Sequence, residues 1–336
     1  MYSKIKVVCL GGGTGLPGLL SGLKHNPWLD ITAVVSMFDS GGSSGELRDR
    51  FGILPPGDVL KCLLALSKNE SYARETLLKR IPNKNIPGHT GGNALLLGLE
   101  KVYGDCTSAI GALGRLLSIR GKVIPVSLCQ STLCARYVDG STHKGETSVD
   151  LGMKEGKVIE KIFLDPPVPI SADAYRAIID ADVICVGPGS LYTSVLPNFL
   201  PDKTALGIGA SKAKIIYIAN LLTEGKGMAG LHLKEIIAIV EHHVGRSVDY
   251  VIANNHWPMA PESESESIFD RYAAECKYPI VPEREDQDPR IILADLWIDL
   301  AIARHDCSRL AHLVSAVINV AVNKIPLLQT ASPSAL

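Results

Sequence analysis

The stretch Ile5-Lys-Val-Val-Cys-Leu-Gly-Gly-Gly-Thr-Gly-Leu-Pro-Gly-Leu-Leu20 decides the fold. Ile5–Leu10 is an apolar run of strand length. Gly11–Gly15 cannot continue it, because consecutive glycines favour a tight turn. Leu16, Leu19, Leu20 and Leu23 then recur at helical spacing. Strand, glycine loop and helix in this order open a βαβ unit, and Ile31–Ser36 supplies its second strand.

Further along, Pro55-Pro-Gly-Asp58 starts a helix running to about Ser67, with Asp58 in the first turn, where a carboxylate suits the helix dipole. Gly91–Val102 and Cys106–Ser118 read as helices. From Lys122 to Leu164 the period changes to two, with strands expected at Val123–Leu128, Leu133–Val138 and Val158–Leu164. Alternation then resumes: helix Ala172–Ile179, strand Asp182–Val186, loop Gly187–Ser190, helix Leu191–Leu200. Ile215–Ala219 and Val248–Ala253 follow as strands with helix Leu233–His243 between them. Pro258–Glu285 reads as irregular and polar, and a helix carrying Leu310, Leu313, Val314, Val317 and Ile318 on one face closes the pattern. The expected fold class is α/β, a mainly parallel sheet with helices on both faces and a β-rich excursion near 122–164. In such sheets ligands sit outside the carboxyl ends of the strands.

Charge narrows the partners. With 34 Lys+Arg against 35 Asp+Glu the 336-residue chain has a net charge of -1, so no general attraction to nucleic acid is expected, and an anionic ligand needs a local site. Apolar runs fall short of the roughly 20 residues of a spanning helix, and the start lacks a signal-peptide pattern. A cytoplasmic location without membrane attachment is the expectation. Eight cysteines without a CxxC pair read as reduced, mostly buried thiols.

Three glycine-bearing loops carry the candidate chemistry. Gly11, Gly12, Gly13, Thr14 and Gly15 allow amides to converge on a phosphate at a helix start, or make a tight structural turn. Gly13, Gly15 and Gly18 satisfy GxGxxG, but no acid stands at the usual ribose position after the second strand, which argues against NAD. Gly187, Gly189 and Ser190 repeat the strand, loop and helix logic. The segment Asp39-Ser-Gly-Gly-Ser-Ser44 offers a carboxylate and hydroxyls to a sugar or, with Asp58, to Mg²⁺; a polar surface turn is the alternative. His89 and Asn93 stand at a helix start as ligand contacts or as capped loop residues. His242 and His243 are adjacent on a helix and cannot share a metal, and no catalytic motif of hydrolases or zinc enzymes is present.

Taken together, Val8-Cys-Leu-Gly-Gly-Gly-Thr-Gly15, Asp39-Ser-Gly-Gly-Ser-Ser-Gly-Glu-Leu-Arg48, Leu54-Pro-Pro-Gly-Asp58, Gly92-Asn93, Gly187-Pro-Gly-Ser-Leu-Tyr-Thr-Ser194, Asn220 and Arg304-His-Asp306 resemble the YvcK-type gluconeogenesis factors of the CofD-like family, over about residues 4–320. The resemblance implies a single Rossmann-like domain, 1–325, followed by a tail, 326–336. It implies a cytoplasmic regulator of gluconeogenic growth, cell shape and cell-wall synthesis that binds UDP-N-acetylglucosamine or UDP-glucose. Gly11–Gly15 and Gly187–Ser190 would hold phosphates; Asp39, Ser43, Ser44, His89, Asn93 and Asn220 would serve the sugar end; Arg304 would face the base. No cofactor is required on this reading, and it leaves room for a homo-oligomer and a cell-wall or regulatory protein partner. The alternative is a Mg²⁺-dependent 2-phospho-lactate transferase using Asp39 and Asp58. The transferases carry an acidic pair where this chain has Asp39-Ser-Gly-Gly-Ser. Likewise, Thr223-Glu-Gly-Lys-Gly-Met228 stands where the gluconeogenesis factors usually have a Gly-Glu-Thr turn.

Overall fold

The structure is a computed structural model that describes residues 3–38, 54–81, 89–256, 268–280, 282, 288–298 and 302–323. Among these, β1 (Ile5–Gly11), β2 (Leu29–Val35), β3 (Lys122–Pro125), β7 (Val183–Val186), β8 (Lys214–Ile218), β9 (Tyr250–Asn254) and β10 (Ile291–Ala294) form one sheet in the order β10-β9-β8-β7-β1-β2-β3. Every pairing in it is parallel. Parallel strands need crossovers, and the helices supplying them cover the sheet.

Alternation along β1 sends its side chains into two cores. Val7 and Cys9 join Leu16, Leu19, Leu20 and Leu23 of α1 (Gly15–Leu23), Leu60, Leu63 and Leu64 of α2 (Gly57–Leu66), and Val314, Val317 and Ile318 of the last helix, Cys307–Asn323. Val8 and Leu10 face the opposite layer with Ile178, Val195, Ile208, Ile236 and Val240. Within the sheet Cys9 lies beside Cys185, both fully buried. All eight cysteines are free; four are buried and Cys129 is exposed. No described helix is long and apolar enough to cross a membrane.

The excursion near 122–164 splits in two. β3 becomes an edge of the main sheet, while β4 (Thr132–Tyr137), β5 (Thr142–Lys144) and β6 (Ile159–Asp165) make a separate antiparallel sheet in the order β5-β4-β6. A helix, Glu146–Lys154, interrupts this segment; its buried side chains Val149 and Met153, spaced four apart, give a signal too thin for a periodicity argument. The helix expected over Leu191–Leu200 is instead a π turn, Leu191–Val195, followed by a 3₁₀ turn, Leu196–Phe199. Pro197 lacks a backbone donor, and Asn198 Nδ2 donates to the carbonyls of Ser194 and Val195, replacing regular helical partners, and also to that of Gly11 on β1. Glu70–Leu77, β10 and the short helix Ile268–Ala274 are further elements that the sequence reading left out.

Candidate ligand-binding site

Strand order reverses between β1 and β7: β2 and β3 lie on one side of the pair, β8 to β10 on the other. The loops leaving β1 and β7 therefore flank the topological switch point, where open α/β sheets bind ligands.

The first loop is fixed by close approach. Gly13 has φ +64°, a left-handed conformation that glycine adopts without penalty. A Cβ on Gly15 would lie 2.5 Å from the Pro188 carbonyl oxygen, so the two loops touch backbone to backbone. The Gly13 N–H donates to Asp58 Oδ2 at 2.6 Å, and Lys61 Nζ donates to Asp58 Oδ1 at 2.9 Å. Asp58 thus does more than complement a helix dipole, since it seats α2 against the glycine turn. One oxygen of this carboxylate accepts from an amide and the other from an ammonium. Its proposed metal partner Asp39, together with Ser43 and Ser44, lies outside the described residues. No cluster of three or more metal-ligating side chains occurs among the described ones.

Side chains from after β8 hold the second loop. Asn220 Oδ1 accepts from the Gly189 N–H at 3.1 Å, and Asn220 Nδ2 donates to the Gly189 carbonyl at 2.7 Å and to Glu224 Oε1 at 2.9 Å. Glu224 Oε2 accepts from Ser190 Oγ at 2.8 Å and from the Leu191 N–H at 3.1 Å. Burial pushes the Glu224 carboxyl up to about 7, even though the Ser190 hydroxyl pulls the other way.

Beside both loops runs a cavity of about 700 Å³, whose wall includes Thr14, Gly15, Gly189, Ser190, Asn220 and Glu224. Lys61, Arg74, Lys277 and Arg304 line it against Glu70 and Glu224. Glu70 is already matched: burial alone would raise its carboxyl, but hydrogen bonds from Lys24, Ser21 and Arg74 outweigh that and hold it below its ordinary value. Of the four cations, Lys61 pairs with Asp58, Arg74 with Glu70 and Lys277 with Glu275, and Arg304 stands exposed in the wall. His305 completes the wall. Burial pushes its imidazole down to about 4, and its ring hydrogen-bonds the Ala219 carbonyl. Nε2 has no hydrogen-bond partner, so the proton sits on Nδ1 and the ring is neutral.

The structure thus brings Thr14, Gly15, Gly189, Ser190, Asn220 and Arg304 to one cavity, with Gly11, Gly12, Gly13 and Gly187 forming the turns behind it. His89 and Asn93 are not in this wall. Both are buried at the start of Gly91–Tyr103, where Thr90 Oγ1 accepts from the Asn93 N–H at 3.2 Å and Gly92 packs on Leu60. Lys277 escaped the sequence reading because no residue near it in the chain announces a site; Glu224 and His305 lie in the motifs beside Asn220 and Arg304, but their sequence assigns them no contact.

A parallel sheet opening at its switch point beneath two glycine loops defines a doubly wound, Rossmann-like α/β protein. The chain belongs to the CofD family: residues 7–297 match the family described as 2-phospho-L-lactate transferase CofD. It is 36% identical to a putative gluconeogenesis factor of Thermotoga maritima over 93% of this chain and 99% of that one. It is also 35% identical to the gluconeogenesis factor of Bacillus subtilis over 83% and 86%. The crystal structure of protein BH3568 from Bacillus halodurans superposes with a TM-score of 0.84 at 36% identity, covering 94% of this chain and 99% of the other.

Proposed function

We propose that this protein is a nucleotide-sugar-binding regulator, with a UDP-sugar lying across the switch point. The single observation that carries this reading is the contact between the Gly11–Gly15 and Gly187–Ser190 loops at the ends of adjacent strands, beside a cavity that Arg304 lines. A diphosphate would lie over the paired loops, on the cavity side, and the cavity volume of about 700 Å³ falls within the roughly 300–1,000 Å³ of small-molecule sites. Arg304, exposed in the wall, would meet the base; Asn220 would stand at the sugar end. The choice of uridine follows the resemblance, and the relatives' name supports a role in gluconeogenic growth, with cell shape and cell-wall synthesis as its wider setting in the cytoplasm.

A binding panel tests the reading. UDP-N-acetylglucosamine and UDP-glucose at 100 times their dissociation constant should stabilise the fold by about 2.7 kcal/mol, while NAD should not. Stabilisation by GDP or NAD in the absence of any UDP-sugar effect refutes it. The family description supports a second reading, a 2-phospho-lactate transferase, for which the resemblance implies Mg²⁺. Mg²⁺-dependent turnover that disappears in both Asp39→Asn and Asp58→Asn would establish that reading over the first.

A further inference from the structure

A phosphate-binding loop works by offering N–H and O–H donors to an incoming anion. Here the donors of the second loop are already engaged. Ser190 Oγ and the Leu191 N–H both point to Glu224 Oε2, and the Gly189 N–H points to Asn220, which Glu224 Oε1 holds in turn. The carboxylate thus takes up the donors that a phosphate oxygen bound at this loop would need. We propose that Glu224 is a built-in occupant of the second glycine loop, so that a ligand diphosphate binds there only as the carboxylate gives up its charge by taking up a proton. This inference rests on the diphosphate lying at that loop.

The surroundings support it. Tyr217 on β8 and Tyr192 in the π turn face Glu224 with hydroxyls that burial, and secondly the Glu224 charge, push up. They remain neutral. Asp150 on the helix Glu146–Lys154 raises the Glu224 carboxyl further, and Lys277, beyond the helix Ile268–Ala274, lowers it. Across the cavity stand Lys61, Arg74 and Arg304, the paired Glu70 and the neutral His305. Desolvation dominates this set, and the carboxyl titrates at about 7, where a regulator could sense it.

A UDP-sugar is the right probe, because its diphosphate carries no group that titrates near neutrality. With a carboxyl titrating at about 7, the dissociation constant for UDP-glucose should weaken about tenfold from pH 6 to pH 8. Calorimetry at pH 7.5 in buffers of different ionisation enthalpy should detect uptake of most of one proton per ligand bound. Glu224→Gln should bind at pH 8 as the native protein binds at pH 6, flat with pH and without proton uptake. Native binding that is flat from pH 6 to 8 with no proton taken up overturns the proposal, whether or not the variant folds. A pH response that persists unchanged in a folded Glu224→Gln overturns it too. Absence of UDP-sugar binding at every pH would instead defeat the functional reading beneath it.

Discussion

The two glycine loops leave neighbouring strands and meet at one point, yet they are built on different principles. The Gly11–Gly15 loop is shaped by its own backbone: a left-handed Gly13, a Gly15 without room for a side chain, and one carboxylate from a helix about 45 residues on. The Gly187–Ser190 loop is shaped by side chains, with Asn220 and Glu224 bracing it from after the next strand. The first loop takes its shape from backbone conformation and close approach. The second, braced by the half-buried Glu224, inherits the titration of that acid.

Substitution at the contact point should blur this contrast most. In Gly15→Ala the new methyl would meet the Pro188 carbonyl at 2.5 Å, forcing both backbones apart; a loss of about 3 kcal/mol in urea unfolding is expected, together with loss of UDP-sugar binding. An unchanged transition would mean that the loops do not depend on each other.

Next in size is the pH response of the braced loop. In the fold the Glu224 carboxyl titrates at about 7 instead of 4.5, so between those values the native state keeps a proton that the unfolded chain has released, and stability falls as pH rises. The full effect is about 2–3 kcal/mol. His305 runs the other way. Held down to about 4 from 6.5, it loses stability as pH falls across that window, by a similar amount, about 2–3 kcal/mol. From pH 4.5 to 6.5 the two oppose each other. Glu224→Gln should therefore leave a stability that climbs with pH between 4 and 6.5, and His305→Gln one that declines between 4.5 and 7. Urea titrations at half-unit pH steps would read both slopes; equal slopes in the two variants would remove either group from the balance.

The smallest effect sharpens the division between frame and ligand. Arg304 is exposed, so Arg304→Ala should move stability by no more than about 0.5 kcal/mol, while weakening UDP-sugar affinity about tenfold through one lost charged contact. A large melting shift with unaltered affinity would assign Arg304 to the scaffold.

Legibility in the sequence follows the same division. Ile5–Leu20 announces its strand, turn and helix because each step is written in adjacent residues, and α2 is announced equally well by Pro55-Pro-Gly-Asp58. The bracing of the second loop is not legible, because Ser190 and Glu224 meet only after β8 has crossed beside β7, 34 residues later. His305 enters the wall through a similar long-range return. Leu191–Leu200 misled for a local reason: its apolar spacing is helical, but Pro197 and the Asn198 amide give its carbonyls other partners.

Cys9 and Cys185 give the switch point a clock of its own. They sit in register on β1 and β7 directly beneath the two loops, with no exposed surface. A thiol reagent reaches them only when that strand pair separates, whereas the exposed Cys129 is modified at once. Cys62 on α2 and Cys134 on β4 time the opening of the helical layer and of the small sheet. Mass-resolved labelling rates with and without a bound ligand would therefore rank, within a single unmodified chain, which layer yields first and which one the ligand fastens.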